Sequence, residues 1–183
     1  MKAKPKTRET ELKLTFDRPQ DAEEIVALLA SSGYGTTPGA RVRNEDLYLD
    51  TFEWSLMKKG MALRFRRSDG RPFYTLKSVG TVRDGVADRF ELEIAVRDDP
   101  PDPAVVTAKK IKDLVDPVIR PRRLIEQVMV RTERRTFDIA REDGTRIELA
   151  FDTTRFQARG LNAKRTAPRL HEMEAELLHG GPE

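Results

Sequence analysis

The sequence contains no cysteine among its 183 residues. A chain without cysteine forms no disulfide framework, and it has neither a thiol nucleophile nor a cysteine-ligated zinc site. The sequence also lacks an apolar run long enough to cross a membrane, and residues 1–8 lack the apolar stretch of a signal peptide. We therefore expect a cytoplasmic protein without a membrane partner.

An excess of charge of either sign is also missing. Lys and Arg number 34 against 31 Asp and Glu, so the formal net charge is only +3 although 36% of the residues are charged. A chain that holds nucleic acid through a basic arm is lopsidedly basic, so no specific nucleic-acid partner is expected. The length fits a single domain, 1–183, that buries one core.

Apolar periodicity predicts a protein built mostly from strands. Two helices are expected, one at 20–32 with Asp17 as its cap and Gly33 as its stop, and one at 104–118. Eight or nine strands in hairpin order avoid open edges by closing, so the predicted fold class is an α+β antiparallel barrel with flanking helices. The strands are predicted at 9–16, 40–50, 61–68, 72–79, 86–97, 125–139, 145–152, 154–160 and 170–178.

Several predicted strands carry charge of one sign on one face. Because side chains alternate, Glu172, Glu174 and Glu176 share a face of the last strand, and Arg64 and Arg66 share a face of the 61–68 strand. For any one strand a solvated outer face is the simple interpretation. However, carboxylates in a row repel one another unless a cation lies nearby, and closing the sheet brings all these faces into one lumen.

A lumen with acidic and basic walls favours one kind of ligand. Arginine and lysine bind phosphate oxygens, whereas carboxylates without imidazole or thiolate are hard ligands that favour Mg²⁺ or Mn²⁺. Metal ions that bridge carboxylates and phosphates commonly hold polyphosphates and orient an attacking water. The residues alone therefore predict a metal-assisted polyphosphate site.

Short charged motifs follow one another along the chain from about residue 8 to 178. In this order they resemble the CYTH family, the triphosphate tunnel metalloenzymes. The resemblance implies a closed eight-stranded antiparallel tunnel that hydrolyses inorganic triphosphate, or a related triphosphate, with Mg²⁺ or Mn²⁺. The motifs are ExExK at 9–13, YLDT at 48–51, LRFR at 63–66, TLK at 75–77, RFELE at 89–93, the pair Arg131 and Arg134, the strand from Glu148 to Asp152, and EMEAE at 172–176.

The resemblance also implies roles for matching residues, with one metal ion gripping the triphosphate and a second positioning the water. Simple alternation groups Arg131 with Arg135, so which of Arg134 and Arg135 faces the lumen stays open. The implied catalytic residues are Glu11, Glu93 and Glu176. The implied metal ligands are Glu9, Glu11, Glu172, Glu174, Glu176 and Asp152. The implied substrate-binding residues are Lys13, Arg64, Arg66, Lys77, Arg131 and Arg134.

Two other functions stay open at this point. One is a polyphosphate-binding module with little catalysis, and the other is a nucleotide-processing enzyme such as a thiamine triphosphatase, nucleoside triphosphatase or adenylate cyclase. The basic loop at 163–168 also resembles bacterial family members fused to a downstream CHAD domain, so such a partner domain is expected. The chain ends at Glu183, where the family usually continues into a closing helix that is expected to be absent here.

Several residues are interpreted structurally. His171 and His179 are expected at the surface, and Asp50 is expected to cap the turn that follows it. Because the basic wall is crowded, replacing Arg64 or Arg66 by alanine is expected to leave the stability unchanged or higher.

Overall fold

The computed structural model describes residues 9–78, 80–83, 86–159 and 169–180, with side chains described for all of these except 9, 81–83 and 86–89. The predicted basic loop at 163–168 lies outside the described residues. The helices are α1 (Ala22–Ser31) and α2 (Lys109–Ile119), with a short 3₁₀ turn at Met57–Lys59. The strands are β1 (Glu9–Phe16), β2 (Gly35–Asp50), β3 (Met61–Ser68), β4 (Arg71–Ser78), β5 (Thr81–Arg83), β6 (Val86–Arg89), β7 (Glu91–Ala95), β8 (Ile125–Ala140), β9 (Arg146–Ala158) and β10 (Leu170–His179).

Both helices begin later than the sequence patterns predict. The cap of α1 is Asp21 rather than Asp17, since the Asp21 carboxylate accepts the backbone N–H groups of Glu23 and Glu24 at 3.0 and 3.1 Å. The segment before α2 remains non-helical because its backbone is held elsewhere: the Tyr74 hydroxyl donates to the Pro103 carbonyl at 2.9 Å. The two strands predicted at 145–160 form the single strand β9.

All strand pairs are antiparallel, and the hydrogen-bonded order is β5-β6-β1-β10-β9-β8-β2-β3-β4-β7. Only Phe90 separates β6 from β7, and its carbonyl accepts the backbone N–H of Ser78 at the end of β4 at 3.0 Å. Counting β4 with β5, and β6 with β7, as one interrupted strand each reduces the ten segments to eight strands, within the predicted eight or nine.

The interrupted strands β4–β5 and β6–β7 form a hairpin, and this hairpin joins the two ends of the sheet order. Its β6 part pairs with β1, whereas its β7 part pairs with β4. The circuit is therefore completed by the continuity of the chain and not by a ladder between β5 and β7. The predicted α+β antiparallel fold is confirmed.

The apolar residues of the strands lie on the face that the helices cover, which we call the outer face. Around α2 the buried cluster contains Phe65, Leu76 and Ile111, and around α1 a second cluster contains Phe137 and Leu149. The opposite, inner face therefore receives the charged residues that alternate with these apolar ones. No helix in the described ranges is long and apolar enough to span a membrane.

Candidate active site

One half of the inner face is a carboxylate wall, which we define as Glu11 on β1, Asp152 on β9, and Glu172, Glu174 and Glu176 on β10. Strand register brings these residues together, since directly opposed residues of an antiparallel pair share a face. Glu11 lies opposite Glu176, and Glu172 lies opposite Asp152. The predicted acidic ligands with described side chains thus occupy adjacent strands of one surface.

Two cations neutralise this wall from within. The Arg134 guanidinium binds Asp152 through both ends, with Nε 2.9 Å from Oδ1 and Nη2 2.6 Å from Oδ2, and Nη2 also donates to Glu174. The Lys13 ammonium bonds to Glu174 and lies 3.8 Å from Glu172. Glu174 therefore holds two cations, and Arg134 holds two carboxylates.

The pKa values follow from this network. Burial alone would raise the pKa of Glu174, but the charges of Arg134 and Lys13 outweigh it and lower that pKa to about 2. Burial opposes the charged form of Lys13 as well, yet the attraction of Glu174 raises its pKa above the usual value. The pKa of Glu172 is raised, because burial and the nearby charges of Glu174 and Asp152 outweigh the attraction of Lys13.

The other half of the inner face is an arginine wall, defined as Arg64 and Arg66 on β3 with Lys77 on β4. Arg66 binds the buried Asp46 bidentately, with Nε 2.6 Å from Oδ1 and Nη2 2.7 Å from Oδ2. Arg64 lies beside the same carboxylate, with Nη1 3.7 Å from Oδ2. The Asp46 carboxylate thus lies between two arginines and partly neutralises both.

Further contacts tie the arginine wall to neighbouring strands. Arg64 Nη2 donates to the Thr75 hydroxyl at 3.2 Å and lies 3.9 Å from the Glu93 carboxylate. The buried Nε of Arg64 has no hydrogen-bond partner in the described part of the chain. Lys77 Nζ lies 2.8 Å from Glu91. The predicted catalytic residue Glu93 thus contacts Arg64 of the arginine wall and accepts a hydrogen bond from the Thr75 hydroxyl at 3.2 Å.

The two walls meet across β2 and β8. Burial lowers the pKa of Arg66, but the bond to Asp46 outweighs burial and raises this pKa above its usual value. The positive charge of Arg134 also lowers the pKa of Arg66. Across β2, Arg66 lies opposite Asp46 and Arg134 lies opposite Val42, so β2 alone separates the strands that carry the two guanidinium groups. An anion placed between them would be attracted by both.

The structure corrects the expected position of Arg131. The register between β8 and β9 is unbroken from Arg131 to Arg134, so two residues three positions apart fall on opposite faces. Arg134 is the inner one. Arg131 points outward, where its Nε donates to Glu45 at 2.8 Å, and Arg135 also points outward, stacked over Phe137 at 4.7 Å and bonded to Glu23 of α1.

Other expectations have mixed outcomes. His171 is buried, not at the surface as expected, because β10 turns it onto the outer face, where its Nδ1 lies 3.1 Å from the Thr153 hydroxyl. Asp50 caps its turn as predicted, accepting the N–H groups of Thr51, Leu56 and Met57.

Sequence reasoning missed Asp46, although it precedes Tyr48 by two positions in a strand and alternation places both on one face.

The acidic residues of the inner face have the donor atoms that a divalent cation prefers. Their donors are carboxylate oxygens, the chemistry that Mg²⁺ and Mn²⁺ prefer, and the row from Glu11 through Glu176 to Glu148 places three carboxylates on adjacent strands. Within the described residues, no three such side chains are gathered closely enough to hold an ion. Only the backbone of Glu9 is described, opposite Arg89, so its role as a ligand stays a prediction.

Comparisons with known proteins agree with this fold. The family model of the CYTH domain matches residues 7–182. A candidate adenylyl cyclase from Hippeastrum with a dominant triphosphatase activity is 18% identical, with a TM-score of 0.63 over 93% of this chain and 80% of that one. A candidate adenylate cyclase from Bacillus halodurans is 19% identical, with a TM-score of 0.56 over 93% and 82%. At these identities the solved structures show the fold alone. No curated protein matches the chain by sequence.

Proposed function

The chain belongs to the CYTH domain family, and from this premise we propose that it hydrolyses inorganic triphosphate or a related triphosphate. One observation carries the proposal. The arginine wall and the carboxylate wall share the inner face, and only β2 separates β3, which carries Arg66, from β8, which carries Arg134. A triphosphate needs cationic groups along its length and carboxylates that recruit a metal ion, and this face supplies both.

The cationic residues bind the phosphate oxygens. Arg64, Arg66 and Arg134 present forked N–H donors that match two oxygens at once, while Lys13 and Lys77 act as point charges. Because the described contacts of these groups in the free protein are with carboxylates or a hydroxyl, binding exchanges one set of charge-assisted bonds for another.

The family implies the use of a divalent metal ion. Mg²⁺ or Mn²⁺ bound here supplies charge neutralisation of the phosphates and a water of lowered pKa. Of the chain's own groups, Glu11 and Glu176 would orient the attacking water, and Glu93 would support Arg64 against the phosphate. The residues that would hold the ion are Glu9, Glu11, Glu172, Glu174, Glu176 and Asp152.

A polyphosphate-binding module with little catalysis is the second candidate. The observation that favours it is the internal neutralisation of the carboxylate wall, where Arg134 occupies Asp152 and shares Glu174 with Lys13. For catalysis these ion pairs must open to admit a metal ion. For binding alone the cations need only turn towards the polyanion.

A phosphate-release assay separates the two candidates. Tripolyphosphate, thiamine triphosphate, ATP and long-chain polyphosphate are each incubated with the protein in Mg²⁺, in Mn²⁺ and in EDTA, and binding is measured in parallel by calorimetry. We expect multiple-turnover phosphate release that requires the metal and is fastest for tripolyphosphate. Tight calorimetric binding without release in either metal would favour the binding module instead.

A further inference from the structure

A strip of charged residues crosses the outer face between the two helices. On β8 it begins beyond Met129, which packs in the α2 cluster, and ends before Phe137, which packs in the α1 cluster. Neither buried cluster includes residues 130–136, and of those that face outward Arg131 and Glu133 are exposed and Arg135 is half-buried. We define the arginine strip as Arg41 and Arg43 on β2, Arg131, Glu133 and Arg135 on β8, and Arg155 on β9.

The register of this strip contains two pairs of like charge, although Arg43 lies opposite Glu133. Arg41 lies directly opposite Arg135 across β2 and β8, and Arg131 lies directly opposite Arg155 across β8 and β9. Like charges in directly opposed positions destabilise a sheet, because their side chains are among the closest cross-strand neighbours. The two pairs lie four residues apart along β8 with Glu133 between them, and each pair is one that an anion would stabilise.

The strip is only partly neutralised by the protein. Arg131 binds Glu45, and Arg135 binds Glu23. The side chains of Arg41, Arg43 and Arg155 form no ion pair with any residue in the described ranges. The outer face thus keeps cationic groups that the proposed active site does not use.

The strip starts at the end of the sheet where the β3–β4 hairpin turns. Pairing of β3 with β2 stops at Asn44 and Ser68, so Arg41 and Arg43 lie where β2 runs past the end of β3. The backbone N–H of Asp69, in the turn, donates to the Arg43 carbonyl at 3.2 Å. The strip therefore runs from the rim of the sheet along its outside.

We propose that the arginine strip is a second polyanion-binding surface, which holds a chain of inorganic polyphosphate along the outside of the sheet. Guanidinium groups on three adjacent strands can each take phosphate oxygens bidentately, and an extended chain can contact several in turn. Between the two like-charge pairs the outer-face positions of β8 and β9 are Glu133 and Thr153, so no aromatic side chain there offers the stacking platform by which single-stranded nucleic acid is held. The choice of a phosphate chain rests on the proposed function, whereas the polyanion site itself does not.

A double variant tests the strip without leaving an orphaned carboxylate. Arg41→Gln with Arg155→Gln removes one member of each like-charge pair, and neither residue has an ion-pair partner in the described ranges. The matched control is Arg97→Gln with Arg123→Gln, two exposed arginines outside the strip for which the described residues also provide no ion pair. Both variants change the net charge equally.

Affinity is measured in EDTA with long-chain polyphosphate, tripolyphosphate and polyuridylate, over a series of salt concentrations. We expect the strip variant to lose roughly tenfold in affinity for long-chain polyphosphate at moderate salt, with the salt slope reduced by about two. The control keeps the parent affinity apart from a small effect of net charge. Tripolyphosphate affinity is unchanged in both, and neither melting temperature falls.

Equal losses in the two variants would overturn the proposal, because net charge alone would explain them. Unchanged polyphosphate affinity in the strip variant would overturn it as well. Strip-dependent binding of polyuridylate without that of polyphosphate would overturn the choice of partner. If the parent neither binds nor hydrolyses tripolyphosphate while polyphosphate binding still depends on the strip, the proposed function fails and this inference stands.

Discussion

Each of the two walls of the inner face includes one member of an aspartate–arginine ion pair, and the walls differ in the third charged residue that joins this pair. In each, a deeply buried aspartate and one arginine bind bidentately: Asp46 binds Arg66 of the arginine wall, and Asp152 of the carboxylate wall binds Arg134. In the arginine wall the aspartate is shared with a second cation, Arg64. In the carboxylate wall the arginine is shared with a second acid, Glu174.

This difference gives the walls opposite excess charge from one structural unit. The aspartate–arginine pair orients both side chains, and the extra residue decides whether the wall attracts phosphate or a metal ion. Because each pair is well shielded from water, removing one member leaves an uncompensated charge, whereas removing the extra residue leaves a neutral pair.

Replacing an acid of the carboxylate wall should affect chemistry most. Glu176→Gln keeps the shape of the side chain and removes its charge, so we expect turnover of tripolyphosphate to fall at least about a hundredfold. The control is Glu133→Gln, an exposed acid on the outer face of β8, which should keep the parent turnover. Circular dichroism checks that both are folded, and parental turnover in Glu176→Gln would remove this wall from the mechanism.

The second prediction compares two arginines of one strand. Arg134→Ala removes the partner of two shielded carboxylates and should lower the free energy of unfolding by about 3–5 kcal/mol. Arg131→Ala removes an outer-face arginine that is 57% exposed and should cost less than about 1 kcal/mol. Urea denaturation in EDTA measures both. Similar losses of unfolding free energy in the two variants would mean that the buried ion pairs of Arg134 contribute no more to stability than the exposed ion pair of Arg131.

The third prediction concerns pH. The folded pKa of Glu174 is about 2, below its ordinary value of 4.5, so its contribution to stability is complete above pH 4.5 and is lost as the pH falls towards 2. The contribution is at most roughly 3 kcal/mol, since each pKa unit corresponds to about 1.4 kcal/mol. Denaturation of the parent and of Glu174→Gln in EDTA should differ near neutral pH and converge near pH 2. A difference in stability between the parent and Glu174→Gln that stays constant with pH would contradict this prediction.

The fourth prediction concerns the arginine wall. Arg66→Ala should weaken tripolyphosphate binding about ten- to a hundredfold, since one charge-assisted contact contributes about 1.5–3 kcal/mol. The loss should be the same for a nucleoside triphosphate, because the contact is with phosphate. Arg67→Ala is the control, an outer-face arginine of the same strand that is bound to Asp99. Calorimetry that shows equal affinities for the two variants would contradict the assignment.

The structure also reverses the expectation that removing Arg66 leaves the stability unchanged or higher. That expectation treated the basic wall as uncompensated. Arg66 instead neutralises Asp46, whose side chain is only 4% exposed, so Arg66→Ala should lower the melting temperature. A second measurement on the same variant, thermal unfolding, checks this.

Much of the fold was predictable because alternation acts over a few residues. The polar and apolar faces of β1, β3 and β10 follow directly from their sequences, and so does the grouping of Glu172, Glu174 and Glu176. Errors arose where distant contacts override local patterns. An example is the late start of α2, where Tyr74 of β4 holds the preceding segment at Pro103.

The sequence by itself determined the face on which most charged residues lie, through the two-residue period of a strand. Only the tertiary structure decided which charges meet. Arg134 lies 18 residues from Asp152 and 40 from Glu174, and Arg66 lies 20 from Asp46. Such pairs depend on the register between strands, which is set by the packing of whole apolar faces and by turn lengths, and a shift of one residue would turn each side chain to the opposite face.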